Sequence, residues 1–200
     1  GLACETGRWH LRTCSDNGRD LRSWALSLDD GSHSFPDESG WHEGAWIDAP
    51  DDAQANAGFL DVLDGTLVAA FGKSIFVGAE TGSPWTCAAR GVIRCIAVSP
   101  TATRRRIAVG TDAGLEILWP GTSEQRLLLD DSQPPDHVLW MPGGRLFTVA
   151  GDHLYRYHIR GDRIAAESTI QLLSSEVQDL IALSGGICGV CYKCGVVDRF

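Results

Sequence analysis

The sequence predicts an all-β chain built from short antiparallel sheets, one to roughly every forty residues. Three observations predict it. Four apolar strand–turn–strand segments have their anchors, Leu67, Ile107, Leu146 and Ile187, spaced 40, 39 and 41 residues apart. Each segment is preceded by one more apolar strand, which in three cases ends in a turn of Ser, Pro or Gly. Helical periodicity is almost absent: only Ile164 to Leu173 could pass as a helix, and the repeat assigns it to a strand.

The elements follow in order. Trp9 to Cys14 and Leu21 to Leu28 are strand-like stretches at the start. Gly31 to Gly58 breaks the repeat, is polar and acidic, and carries Phe35, Trp41 and Trp46. From there the pattern is regular. The leading strands are Phe59 to Leu63, Val92 to Val98, His137 to Met141 and Val177 to Leu183. The hairpins are 67–77, 107–119, 146–157 and 187–197. Closing strands follow three of them, at Trp85 to Ala88, Arg126 to Leu129 and Ser168 to Leu173. Two regions result: 1–58, N-terminal strands with an acidic insertion, and 59–200, in units 59–89, 92–130, 137–173 and 177–200.

Four short strands make a twisted sheet that cannot bury both faces alone. Successive sheets stacked around an axis cover one another, which is a β-propeller of four-stranded antiparallel blades. The length fits about five blades or part of a larger ring, with Trp9 to Cys14 completing the last blade and Leu21 to Leu28 opening the first. Small residues inside the second strand (Ala69, Ala70, Ala108, Gly110, Ala150, Gly189) suit the narrow approach of neighbouring sheets.

Residues 92–120 resemble a WD-repeat blade. Ser99-Pro100 stands at that family's Ser-Pro turn, Asp112 and Gly114 at its hairpin Asp and Gly, and Trp119 at the Trp that ends the third strand. Pro120 replaces the Asp that usually follows, and in the next copy Tyr157 replaces the Trp while Asp152 sits in the turn. The likeness covers about residues 59–200. It implies a propeller and leaves activity open. Arg-rich, Lys-poor, eroded repeats are similar to bacterial propellers, some of which work beside a MoxR-type ATPase and a von Willebrand A protein.

The 200 residues carry 17 basic and 26 acidic side chains, a net charge of −9. Ten acids and no base lie between Asp29 and Gly65. Such a stretch repels phosphate backbones, so nucleic acid is not an expected partner. Fifteen of the bases are Arg; only Lys73 and Lys193 are Lys. No apolar run is long enough to span a membrane. The opening Gly1-Leu2-Ala3-Cys4-Glu5 lacks a secretory signal pattern, and a start at Gly1 suggests a piece of a longer chain. Seven cysteines do not fit a secreted disulfide framework, so a reducing, cytoplasmic setting is expected, with Cys95 a small core residue.

The sharpest chemical motif is Cys188-x-x-Cys191-x-x-Cys194. Thiolates at this spacing on a loop can hold zinc or an iron–sulfur cluster, given a fourth ligand. Here the motif overlies a strand, where residues three apart point to opposite faces. Packed or exposed thiols are the preferred reading, and no cofactor is expected. His137, His153 and His158 fall in no ligand pattern, and no nucleophile elbow or phosphate loop is present.

The function expected is therefore a non-catalytic platform for another protein, subunit or domain, or a regulatory or sensor module. The residues expected to contact the partner are Trp41 and Trp46, the hairpin loops at Lys73, Asp112, Asp152 and Lys193, and the connecting loops at Arg90, Gln133 and Glu176. The alternative is a metal- or cluster-binding domain or enzyme, using Cys188, Cys191 and Cys194 or a site in the central funnel.

Overall fold

A computed structural model of the chain describes residues 2–5, 8–14, 20–27, 41–43, 47–48, 58–63, 66–78, 85–99, 106–120, 126–129, 133–161 and 163–200. Phe35 and Trp46 lie outside them, and Trp41 is described in its backbone alone. Apart from two short 3-10 turns, the described elements are β-strands.

The chain divides into two compact units, 1–88 and 89–200. The first holds two antiparallel sheets. One joins β1 (Leu2–Glu5), β2 (Arg8–Cys14), β3 (Asp20–Ser27) and β4 (Trp41–Glu43) in that order, with β5 (Ile47–Asp48) also on β3. The second orders β6 (Gly58–Leu63), β7 (Thr66–Phe71), β8 (Ser74–Gly78) and β9 (Trp85–Ala88). In the first sheet β2 is an interior strand, bonded to β1 along one edge and to β3 along the other. The sequence reading gave Trp9 to Cys14 to the last sheet. Here Arg8–Cys14 pairs with β1 and β3 on its two edges, and Asp20–Ser27 is the third strand of that sheet.

The second unit holds three sheets in strict chain order. Sheet C is β10 (Ile93–Val98), β11 (Ile107–Thr111), β12 (Gly114–Leu118) and β13 (Arg126–Leu129). Sheet D is β14 (His137–Met141), β15 (Arg145–Ala150), β16 (His153–Arg160) and β17 (Arg163–Gln171). Sheet E is β18 (Val177–Leu183), β19 (Ile187–Tyr192) and β20 (Val197–Arg199). The stretch that could pass as a helix is a strand, because β-branched and alternating residues satisfy a half-buried ladder on β16.

Two apolar cores hold these sheets face to face. Between C and D lie Ala97, Ala108, Leu115, Ile117, Trp119, Trp140, Leu146, Tyr157 and Ile159. Between D and E lie Met141, Phe147, Val149, Leu154, Leu172, Val177, Leu180, Cys188, Val190 and Tyr192. The leading strands β10, β14 and β18 are neighbours in succession, as in propeller-like blades. Alternation along each strand sends one set of side chains to each core, so each face of sheet D carries one. Gly110 shows how tight the inner approach is. A Cβ there would collide with the Cys95 thiol and lie 2.8 Å from Pro135 Cγ, on the segment leading into sheet D.

The turns between first and second strands repeat as well. Pro142–Gly144 in sheet D and Ser184–Gly186 in sheet E each place two successive glycines at φ between +76° and +79°, a backbone that other residues adopt only with strain.

Candidate partner-binding rim

Strand direction decides where the expected contact residues go. In unit 89–200 the leading strands start, and the second strands finish, at one end of each sheet. The hairpin turns after the second strands therefore share that end with the loops that join one sheet to the next. Asp112, Asp152 and Lys193 lie on the hairpin turns; Arg90, Gln133 and Glu176 lie on the connecting loops. All six are on one rim. Lys73, in the first unit, is exposed in the two-residue turn between β7 and β8.

The rim is held by recurrent bonds between each hairpin and the strand that leads its sheet. In sheet C the Asp112 N–H donates to the Val92 carbonyl at 3.1 Å, and its Oδ1 accepts from the Val92 N–H at 2.7 Å. A Cβ at Gly91 would run into that carboxylate, so a larger residue there would displace the Asp112 side chain from this bond. In sheet D, Asp136 donates its N–H to the Val149 carbonyl at 2.7 Å and accepts the Gly151 N–H at 3.3 Å. In sheet E the Lys193 N–H reaches the Glu176 carbonyl at 3.0 Å, bringing two expected contact residues of opposite charge together.

Several polar side chains on this rim are already committed. The Asp152 carboxylate takes Gln171 Nε2 at 3.0 Å and lies 2.6 Å from His153 Nδ1. Glu116, only 2% exposed on β12, accepts the Arg90 N–H at 2.7 Å. A buried carboxylate needs such donors to be tolerated. Sequence reasoning missed Glu116, whose one signal is an acid inside the apolar run Gly114-Leu115-Glu116-Ile117-Leu118. It also missed the ion pair of Arg94 with Asp136, which bridges β10 to the approach of β14. Gln133 is exposed in its loop. His137 Nε2 sits 3.2 Å from the Val177 carbonyl, linking sheet D to sheet E.

The three cysteines of the spaced motif diverge. Cys188 is fully buried in the core between D and E, Cys191 is half-buried on the other face of β19, and Cys194 is exposed in the β19–β20 turn. Burial, and then the charge of nearby Cys191, push the Cys188 thiol up to about 12, so it holds its proton and packs as an apolar group. Burial pushes Cys95 up to about 12 as well, its Sγ lying 3.5 Å from the Pro135 carbonyl. No cluster of three or more His, Cys, Asp or Glu side chains suited to a metal occurs among the described residues. Tyr192 is raised by burial and by the bond its hydroxyl donates to Asp198 at 3.0 Å. Among the described residues no helix is long and apolar enough to cross a membrane.

No family model matches the sequence, and no curated protein matches it. Solved structures do resemble it. BBS1N, crystallised in complex with ARL6DN and soaked with mercury, aligns with a TM-score of 0.66 at 12% identity over 96% of this chain. Sqt1 of Chaetomium thermophilum gives 0.65 at 15% over 97%. A protein of unknown function from Bacteroides caccae gives 0.57 at 11% over 96%. The chain spans 60%, 53% and 72% of those three chains, respectively. At such identities the likeness is one of fold: BBS1N and Sqt1 are propeller-like, and this chain shares their all-β, antiparallel, face-to-face architecture.

Proposed function

We propose that this chain is a non-catalytic β-propeller platform on which another protein, subunit or domain docks. The observation that carries this reading is the rim of unit 89–200. Three successive sheets present their hairpin turns and connecting loops at one end, fixed by backbone bonds and by the carboxylates of Asp112 and Asp136. Asp112, Asp136, Asp152 and Glu116 each accept a hydrogen bond within that frame. Rigid strands carrying surface loops are a common basis for recognition. BBS1N, of similar fold, was crystallised in a complex with another protein, which fits the same use here.

The finer reading is a WD-type propeller in the cytoplasm of a bacterium, acting as a regulatory or sensor subunit of a multi-protein system of the MoxR–von Willebrand A kind. Its partner would meet Trp41, Trp46, Lys73, Arg90, Asp112, Gln133, Asp152, Glu176 and Lys193. Trp supplies large contact area, and charges of both signs select the orientation. The test is titration calorimetry against the products of the flanking genes. Trp41→Ala with Trp46→Ala, and separately Glu176→Lys with Lys193→Glu, should each weaken a complex by roughly tenfold or more. Affinity unchanged in both pairs would overturn the reading. So would stoichiometric zinc or iron in the purified protein, which would move the weight to Cys188, Cys191 and Cys194.

A further inference from the structure

The face of sheet D turned toward sheet E is divided. Its inner part carries Met141, Phe147, Val149 and Leu154 and is covered. Its outer part carries Arg145, Arg156, His158, Arg160 and Arg163. Register fixes this: Arg145 pairs with His158 and Arg160 with Arg163, and cross-strand partners share a face. Residues 154, 156, 158 and 160 alternate onto the same side of β16 as Leu154, which sits in the core with sheet E. Sheet E covers β16 and β17 at Leu154, Ile170 and Leu172, and the far end of those strands, at Arg160 and Arg163, is exposed.

Among the described residues one carboxylate, Glu167, enters this field. The ladder between β16 and β17 shifts register at Arg156 and Tyr157, so that Glu167 becomes the extra residue of a bulge. Bulges re-aim side chains. Glu167 lies 2.9 Å from Arg156 Nε and 3.3 Å from His158 Nδ1, while Arg160 Nε reaches His158 Nε2 at 3.4 Å. His158 Nε2 thus accepts from Arg160 while its Nδ1 faces Glu167. Arg145 lies against the Gly186 turn, where a Cβ would come within 2.6 Å of its Nη2. Arg145 and Arg163 form no ion pair among the described residues, and Arg160 and Arg163 are exposed. Two like charges directly across a ladder destabilise it unless an anion joins them.

We propose that this arginine face, at the end of sheet D opposite the rim, docks a carboxylate-rich segment of a partner protein. Guanidinium forks match carboxylates, and Glu167 already shows the site taking one. The patch is short and stands in a chain of net charge −9. A long phosphate polymer running beyond it would meet repulsion, whereas a short acidic segment would not. The surface is separate from the rim and stands or falls without it.

Fluorescence anisotropy of the full chain with a dye-labelled oligo-glutamate peptide at low salt tests this. Saturable binding is expected, weakened roughly tenfold or more by Arg160→Glu with Arg163→Glu, two exposed positions, and less by Arg160→Gln with Arg163→Gln. Arg199→Glu, on the other face of sheet E, should change nothing. The proposal is overturned by absence of saturable binding, by equal loss in Arg199→Glu, or by tighter binding of a labelled single-stranded oligonucleotide.

Discussion

The two interfaces of sheet D are built from the same strands and end differently. Against sheet C the apolar contact runs to the outer strands, with Ile159 and Tyr157 buried against Trp119 and with Ile164 and Leu129 packed beside them. Against sheet E it covers the end nearer the rim, out to Leu154, Ile170 and Leu172, and the opposite end carries arginine. Adjacent residues make the contrast: Ile159 is 3% exposed on one face, Arg160 is exposed on the other. The lesson is that the period-two pattern reports a strand's neighbours, not the strand. Where a neighbouring sheet covers the strand its side chains are apolar, and where the strand runs past that cover they are charged.

Swapping the two characters gives the largest expected effect. Ile159→Arg would bury an unpaired charge between C and D and should cost about 3–5 kcal/mol, read as a fall in urea midpoint with circular dichroism. Arg160→Ile should stay within about 0.5 kcal/mol of the parent. Equal costs would break the comparison, since they would mean that both positions have the same surroundings.

Each interface also contains one buried thiol, Cys95 at the approach to sheet D and Cys188 between D and E, both pushed up by burial from 9 to about 12. The folded state favours the neutral thiol, so its stabilisation is complete below pH 9 and declines as pH rises from 9 toward 12. Denaturant midpoints measured upward from pH 8 should fall, and Cys188→Ala should flatten that fall while lowering stability at neutral pH. A midpoint independent of pH in the parent would contradict the burial of both thiols. Under alkylation of the native protein the exposed Cys194 should react before the buried Cys95 and Cys188.

The smallest effect sharpens the open side. Arg156→Gln removes the contact with Glu167, but the two side chains are 42% and 30% exposed. Such a pair is worth about 0–1 kcal/mol, so the urea midpoint should barely move. A large loss would show that Glu167 and Arg156 hold the outer edge of sheet D together, in place of serving a surface.

Much of the strand order was legible in the sequence because Gly and Pro mark turns and alternation marks half-buried strands. Met141-Pro142-Gly143-Gly144 and Leu183-Ser184-Gly185-Gly186 announce the same turn in successive sheets. The opposite facing of Cys188 and Cys191 followed from parity alone. The role of Trp9 to Cys14 was not legible, because an edge strand and an interior strand read alike when pairing is unknown. Neither was the arginine face. Arg145, Arg156, Arg160 and Arg163 are scattered in sequence and meet only through cross-strand register. Glu116 was hidden for a related reason: which acids are buried depends on loops that fold back, here at Arg90.

The claim beneath all of this is that stretches of about forty residues fold as equivalent antiparallel sheets stacked face to face. Amide hydrogen exchange across the whole chain tests it most directly. Slow exchange should recur at the second strands β7, β11, β15 and β19, each bonded on both edges, with fast exchange at the turns near residues 113, 143, 151 and 185. Protection that runs unbroken through those turns, or that fails to recur at the interval of 40, 39 and 41 residues, would contradict it.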